Sequence, residues 1–544
     1  MRGDGAAASS VAGSFQNRDS SMTTGASRGR FGYTVGVIMR RIAPLLLAAS
    51  LVAAGCSSGD DATAVGDDAN PTTAAPKPYR PVFADTPCMV DVPDGATVTC
   101  GTLTVPENRA EPDGNQVVLP VVRIHSTSPT PKPDPVVYLH GGPGIGTLPN
   151  GIAGRARNPV LAERDLIVFD QRGAGLAKPA LECPEREQAF LDALSQPAPF
   201  ADELKSFDTA LSDCYDRLTG EGYDLDQYNS LADAADLADL RVAMGFDEWN
   251  LWGVSYGTRL ALTEMRSYPE GIRSVVLDSV YPPSAGSASD TVKSGQRAFD
   301  ALSNGCATDP VCHAKYPDVK ADLDKMASDL DAAPFSFDYT PPGGSPLTLR
   351  LTGNDAVGGL FNALYDTTLI PQLPAAIHDL ANGGRALVPL IADQGVPFVN
   401  DTSEGAFLSF ECADNGARVD PDEVAALRKD PGRAGLLLLV GWNLFCDSWP
   451  VKHLPKDYGK PMTGDIGIPT LVIAGEYDPI TPPANSKATA DQLGDWAVFI
   501  QVPHAGHGPG PDTECSLGVF TKFFDDGTKV DTSCVASIVP TPFA

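Results

Sequence analysis

Gly253-Val254-Ser255-Tyr256-Gly257 constrains this chain more than any other segment, because of what flanks it. An apolar run, Trp249 to Trp252, leads in, and a stretch with one apolar face, Leu260 to Met265, leads out. A strand that turns into a helix within five residues needs a tight, strained corner. Glycine at both ends lets neighbouring backbone pass where a side chain would collide. Such a corner holds the central side chain out above the sheet, so Ser255 is a candidate nucleophile. The pattern alone carries little weight. Gly25-Ala26-Ser27-Arg28-Gly29 and Gly55-Cys56-Ser57-Ser58-Gly59 match it too, yet neither stands between a strand and a helix.

Similar apolar runs recur along the chain: Gln116 to Ile124, Pro135 to Leu139, Leu166 to Phe169, Ser274 to Leu277, Thr470 to Ala474 and Ala497 to Val502. Several are continuous rather than alternating, which suits strands buried on both faces of a largely parallel sheet. Helical patterns separate them, such as Leu231 to Met244, with Asn229-Ser230 as N-cap and Gly245 as stop. Alternating strands and helices predict a doubly wound α/β domain. The interval from about Pro282 to Ile466 breaks the rhythm and is mostly helical in composition, which predicts an inserted cap over 282–465. Residues 81–281 and 466–544 then form the two parts of the α/β core, a division that suits a chain of 544 residues.

The N-terminus reads as an export signal. Met39-Arg40-Arg41, an alternative start, precedes an apolar run from Ile42 to Ala54, too short for the ~20 residues of a membrane span. Val52-Ala53-Ala54-Gly55-Cys56 resembles a bacterial lipoprotein signal, with residues 1–55 removed and Cys56 the lipidated first residue. Ala53 stands where such signals more often carry Leu, and an ordinary cleaved signal peptide is the other reading. Residues 56–80, rich in Asp, Thr, Ala and Pro, predict an extended tether. The expected location is the outer face of the cytoplasmic membrane, through the lipid on Cys56, or free secretion.

Setting Cys56 aside leaves ten cysteines, an even number that in an exported chain predicts five disulfides. Connectivity is open from sequence, and the expectation adopted is neighbour-to-neighbour pairing of Cys88, Cys100, Cys183, Cys214, Cys306, Cys312, Cys412, Cys446, Cys515 and Cys534. No His/Cys spacing suits zinc and no HExxH occurs, so neither metal nor cofactor is expected. A formal net charge of −29 argues against nucleic acid or an anionic membrane face as partner.

A serine hydroxyl needs a base within hydrogen-bond reach, itself oriented by a carboxylate. On a strand-turn-helix scaffold the chain order is Ser, acid, His. Five histidines follow Ser255, and His507 is the candidate base: it lies in Pro503-His504-Ala505-Gly506-His507-Gly508, just past a strand and flanked by glycines. His504 is its rival. The acid should follow the preceding strand, where Gly475-Glu476-Tyr477-Asp478-Pro479 offers Asp478, with Glu476 as alternate; Asp278, after an earlier strand, reads as structural. Charge developing on a tetrahedral intermediate needs backbone N–H donors. Tyr256 supplies one, and Gly142 in His140-Gly141-Gly142-Pro143-Gly144 the other.

These motifs, with Cys100-Gly101-Thr102-Leu103-Thr104-Val105-Pro106, Asp170-Gln171-Arg172-Gly173-Ala174-Gly175 and the late pair Cys515 and Cys534, resemble the proline iminopeptidase and tripeptidyl aminopeptidase branch of α/β-hydrolase serine peptidases. The likeness runs from about Cys100 to Cys534; Ala177 stands where that branch often has Ser. It implies an α/β-hydrolase fold with a mainly helical inserted cap, no cofactor, and release of short peptides or single residues from a free N-terminus. An aminopeptidase must hold an α-ammonium, which needs a carboxylate partner. Phe410-Glu411-Cys412-Ala413-Asp414 offers Glu411 and Asp414. The same machinery cleaves esters, so a carboxylesterase or lipid-ester hydrolase acting on a small ester is the alternative, and a non-catalytic envelope binding lipoprotein a more remote one.

Overall fold

The computed structural model describes residues 79–149, 151–196, 198–340, 346–400, 402–429, 442–462 and 466–544. The leader, Cys56 and the tether up to residue 78 lie outside them. In chain order the strands are β1 Val82–Asp85, β2 Val98–Pro106, β3 Gln116–Ile124, β4 Val136–Leu139, β5 Leu166–Phe169, β6 Trp249–Val254, β7 Ile272–Asp278, β8 Phe335–Tyr339, β9 Leu347–Leu351, β10 Thr470–Gly475 and β11 Ala497–Val502. Nine form one sheet in the order β1-β2-β3-β5-β4-β6-β7-β10-β11. From β5 across to β11 every pairing is parallel, whereas β1, β2 and β3 join antiparallel at one edge.

The continuous apolar runs explain the parallel half. Every residue of β4, β5 and β10 is buried, as strands covered on both faces must be. Val137, Leu251 and Val472 pack on one face with helices Ser230–Met244 and Tyr256–Ser267, while Val136, Trp252 and Ile473 pack on the other with Glu514–Asp526. The first of these helices starts where Asn229 accepts from the Leu231 and Ala232 N–H groups and stops at Gly245, whose φ of 76° is open to glycine.

At the end of β6 the backbone turns through Ser255 at φ 57° and ψ −123°. The close approaches there leave no room for side chains. A Cβ on Gly253 would lie 2.3 Å from the Gly257 carbonyl oxygen, and one on Gly257 only 2.0 Å from that of Leu139 on β4. The Ser255 N–H is held by the Asp278 carbonyl at 3.0 Å.

The interval between β7 and β10 is not packed as one piece. Ala298, Leu302, Met326, Leu360 and Ile377 build a separate apolar core, beside which β8 and β9 pair antiparallel, so this part is less purely helical than its composition suggests. Helix Glu404–Asn415 behaves differently: it is buried from Gly405 to Asn415 and joins the sheet's core through Ala406, Leu408, Phe410 and Ala413. A helix enclosed on all sides belongs inside a domain. The ten cysteines are joined as Cys88–Cys100, Cys183–Cys214, Cys306–Cys312, Cys412–Cys446 and Cys515–Cys534, each with its neighbour in sequence.

Two glycine substitutions should move stability in opposite directions. Gly257→Ala drives a methyl into fixed backbone and should cost about 3 kcal/mol or more. Gly518→Ala, with nothing within 4 Å of its Cβ position inside helix Glu514–Asp526, should gain about 0.5–1 kcal/mol. Urea denaturation of the two variants against the parent measures both.

Candidate active site

Four strand ends converge, and all are carboxyl ends of the parallel half, where open α/β sheets place their sites. β4 runs into His140 to Gly144, β6 into Ser255, β10 into Asp478 and β11 into His507. Gly141 passes directly beside Ser255: a Cβ there would be 2.9 Å from Ser255 Cβ and 3.4 Å from its Oγ. Gly142 and Ser255 both line a cavity of about 440 Å³. Among the described residues, neither the Gly142 N–H nor the Tyr256 N–H is given to another protein group, so both donors stand open.

His507 Nδ1 donates to Asp478 Oδ2 at 2.8 Å, with Thr481 Oγ 3.1 Å from the same nitrogen. Asp478 is fully buried and saturated with donors. Its Oδ1 accepts from the Ile480 and Thr481 N–H groups at 3.0 and 2.8 Å, and its Oδ2 from the Thr481 hydroxyl at 2.7 Å. Burial opposes ionisation of Asp478, but the His507 ring and the Thr481 donors outweigh it and hold the carboxyl below its usual range. Ser255 Oγ makes no hydrogen bond to the ring in this state, as is common before substrate tightens such a site.

The rival residues are engaged elsewhere. The His504 N–H donates to Glu476 Oε2 at 2.8 Å and its ring stacks on Tyr477, 5.0 Å between centroids. Asp278 accepts the Gly510 N–H at 3.0 Å. Asp170 of the Asp170-to-Gly175 segment takes the Thr147, Leu148 and Leu176 N–H groups, tying down the chain that follows the Gly142 loop.

A family profile described as alpha/beta hydrolase fold matches residues 134–306, and one described as TAP-like protein matches residues 439–534. The chain is a serine hydrolase of the α/β-hydrolase fold. It is 26% identical to serine protease Hip1 of Mycobacterium tuberculosis over 466 residues, covering 80% of this chain and 86% of that one. With the tripeptidyl aminopeptidase of Streptomyces coelicolor the identity is 27% over 491 residues, covering 84% and 86%. With carboxylesterase B of M. tuberculosis it is 26% over 471 residues, covering 82% and 87%.

The two acids singled out in the inserted interval of this hydrolase are both buried, but they face different ways. Glu411 lines the cavity that holds Ser255; its Oε2 accepts from Tyr281 Oη at 3.0 Å and Asn415 Nδ2 at 2.7 Å, while Oε1 has no partner among the described residues. Burial pushes its carboxyl up to about 7, with the Arg259 guanidinium opposing and Asp414 reinforcing the shift. Asp414 does not line the cavity. It accepts the Ser230 N–H at 3.1 Å and the Ser230 hydroxyl, and lies 3.7 Å from Arg259.

Three residues that sequence reasoning missed support His507 and Asp478. Thr481 was signalled only as part of an Asx-type turn after Asp478. Arg297, on helix Ala288–Thr308, donates to the Glu476 carbonyl at 2.9 Å and to that of Asp478. Tyr365 takes the His507 N–H on its carbonyl at 2.9 Å and packs its ring 4.9 Å from the imidazole. Neither long-range contact leaves a trace in local sequence. Among the described residues one cluster, Cys183, Glu185 and Cys214, groups three metal-type donors, and its two sulfurs are bonded to each other.

No helix among the described residues is long and apolar enough to cross a membrane. For Asp478, Thr481→Val should cost about 1.5–3 kcal/mol at pH 7 by removing a donor from a buried carboxylate. Because the carboxyl is depressed in the folded state, its contribution is present above about pH 4 and fades as pH falls through the folded value. The gap between variant and parent, read by urea unfolding, should therefore narrow toward pH 2.

Proposed function

We propose that this hydrolase is an exported aminopeptidase that releases short peptides or single residues from free N-termini through an acyl-enzyme on Ser255. In this reading His507 removes the Ser255 proton as the hydroxyl attacks the scissile carbonyl. Asp478 fixes the ring with its proton on Nδ1 and stabilises the imidazolium. The Gly142 and Tyr256 N–H groups hold the oxyanion, worth roughly 2.7–4 kcal/mol for one such donor. His507 then protonates the departing amine, and a water activated by the same ring releases the acyl group.

The observation that carries the peptidase over the esterase is Glu411. An α-ammonium brought into the Ser255 cavity needs a desolvated carboxylate, and Glu411 lines that cavity with Oε1 unbonded while Tyr281 and Asn415 fix its other oxygen. Asp414, engaged by Ser230, acts on this site through Arg259 and not by contact. The ester-hydrolase alternative draws on the likeness to carboxylesterase B, which is as close in identity as Hip1. Export draws on the signal-like N-terminus and five disulfides. Lipid attachment at Cys56 would tether the enzyme to the membrane's outer face through residues 56–80, with the inserted interval 282–465 covering the site.

Aminoacyl and tripeptidyl amides should be cut with a free amine and spared when N-acetylated, while Ser255→Ala loses turnover by about 10⁴-fold or more. Glu411→Gln should raise KM for free-amine peptides about 10- to 100-fold, with a far smaller effect on a neutral nitrophenyl ester. The ratio of peptide to ester kcat/KM should also fall as pH drops through about 7, because Glu411 then takes up a proton; Tyr281 stays neutral and Arg259 charged across that range. Turnover of the ester alone would make this an esterase and leave Glu411 without a substrate role.

A further inference from the structure

His140 opens the Gly142 loop, yet nothing in the reaction scheme uses it. Its Nδ1 lies 3.0 Å from the carbonyl oxygen of Gly141. That carbonyl belongs to the peptide unit whose other end is the Gly142 N–H. A carbonyl oxygen only accepts, so Nδ1 must carry the proton. We propose that His140 is a positioning residue for the oxyanion hole: by donating from Nδ1 to the Gly141 carbonyl it sets the plane of the Gly141–Gly142 peptide, aims the Gly142 N–H at the reacting centre and polarises it.

The surroundings fix the imidazole for this task. The His140 carbonyl accepts from Gln171 Nε2 at 3.3 Å, and it lies 3.0 Å from the Cβ position of Gly257 on the other side of the elbow. The ring meets Tyr138 edge-on at 5.7 Å, and the Arg155 guanidinium sits 3.6 Å over Tyr138. Desolvation pulls the imidazole down to about 4, with the Gly141 bond opposing and Arg155 adding to the shift, so the ring stays neutral through the working pH range. A hydrogen bond into one end of a peptide strengthens donation from the other, because chained hydrogen bonds polarise one another. With Gly142 at φ 121° and Gly141 against Ser255, the peptide has no side chain of its own to hold its orientation. The inference rests on Gly142 being an oxyanion donor and is independent of the Glu411 reading.

The test uses a short-chain nitrophenyl ester and a boronic acid that adds to Ser255 and places an oxygen in the oxyanion position. His140→Leu should lower kcat about 10- to 100-fold with KM within about twofold, and weaken the boronate by a similar factor. His140→Asn should recover most of both, since its Nδ2 occupies the place of the ring Nδ1. Equal loss in both variants, or unchanged boronate affinity in His140→Leu, overturns the proposal. Should His140→Leu fail to fold, ¹⁵N NMR of histidine-labelled wild type decides: a neutral Nδ1–H tautomer for the signal missing from His140→Asn supports it, and an Nε2–H tautomer or a cation at pH 6 overturns it. Wild type that turns over ester but no peptide sinks the aminopeptidase reading and leaves this one standing.

Discussion

Backbone meets backbone with no side chain between where β6 turns into its helix. A Cβ position on Gly257 lies 2.0 Å from the Leu139 carbonyl oxygen, and one on Gly253 lies 2.3 Å from that of Gly257. These approaches bring the ends of β4 and β6 together, so the Gly142 loop and Ser255 share one cavity. They also force Ser255 to φ 57°, a conformation that costs a serine of order 1–3 kcal/mol and is sustained by the packed sheet below it. Remove the glycines and the Gly142 loop separates from Ser255.

A buried polar network behind the elbow ties Ser255 to the chain between β7 and β10. Tyr256 Oη lies 2.9 Å from Ser230 Oγ, Asp414 also accepts from Ser230, Arg259 lies over the Tyr281 ring at 3.7 Å, and Tyr281 donates to Glu411. Buried groups of this kind need all their partners in place. Tyr256 and Glu411 are therefore held in one frame. On the opposite side Arg297 and Tyr365, both from the chain between β7 and β10, grip the loops of Asp478 and His507. The chain between β7 and β10 thus supports the Asp478–His507 pair.

Much of this was legible in the chain. β3, β5 and β11 match their apolar runs residue for residue, and the helix from Ser230 was visible in its cap and stop. Ser255, Asp478 and His507 were picked out because each follows a strand in a fixed order with a recognisable turn, and the structure sets all three at the carboxyl ends of those strands. β1 escaped because it is four residues long and mostly exposed, so it has no apolar signature. β8 and β9 escaped because they alternate in a region whose composition favours helix. Glu411 and Asp414 looked equivalent, three residues apart on one helix. What separates them is the Ser230 N-terminus that captures Asp414 and the cavity that reaches Glu411, and neither is written locally. Arg297 and Tyr365 act from more than a hundred residues away, beyond any local pattern.

In the proposed reaction, chemistry proceeds through a covalent intermediate on Ser255. Rapid quenching of the enzyme with a tripeptidyl nitrophenyl ester, followed by intact-mass analysis and peptide mapping, tests it directly. A burst of one nitrophenol per enzyme and a single acyl group on the peptide that contains Ser255 are expected. Turnover without an adduct, or an acyl group on any other residue, would contradict it.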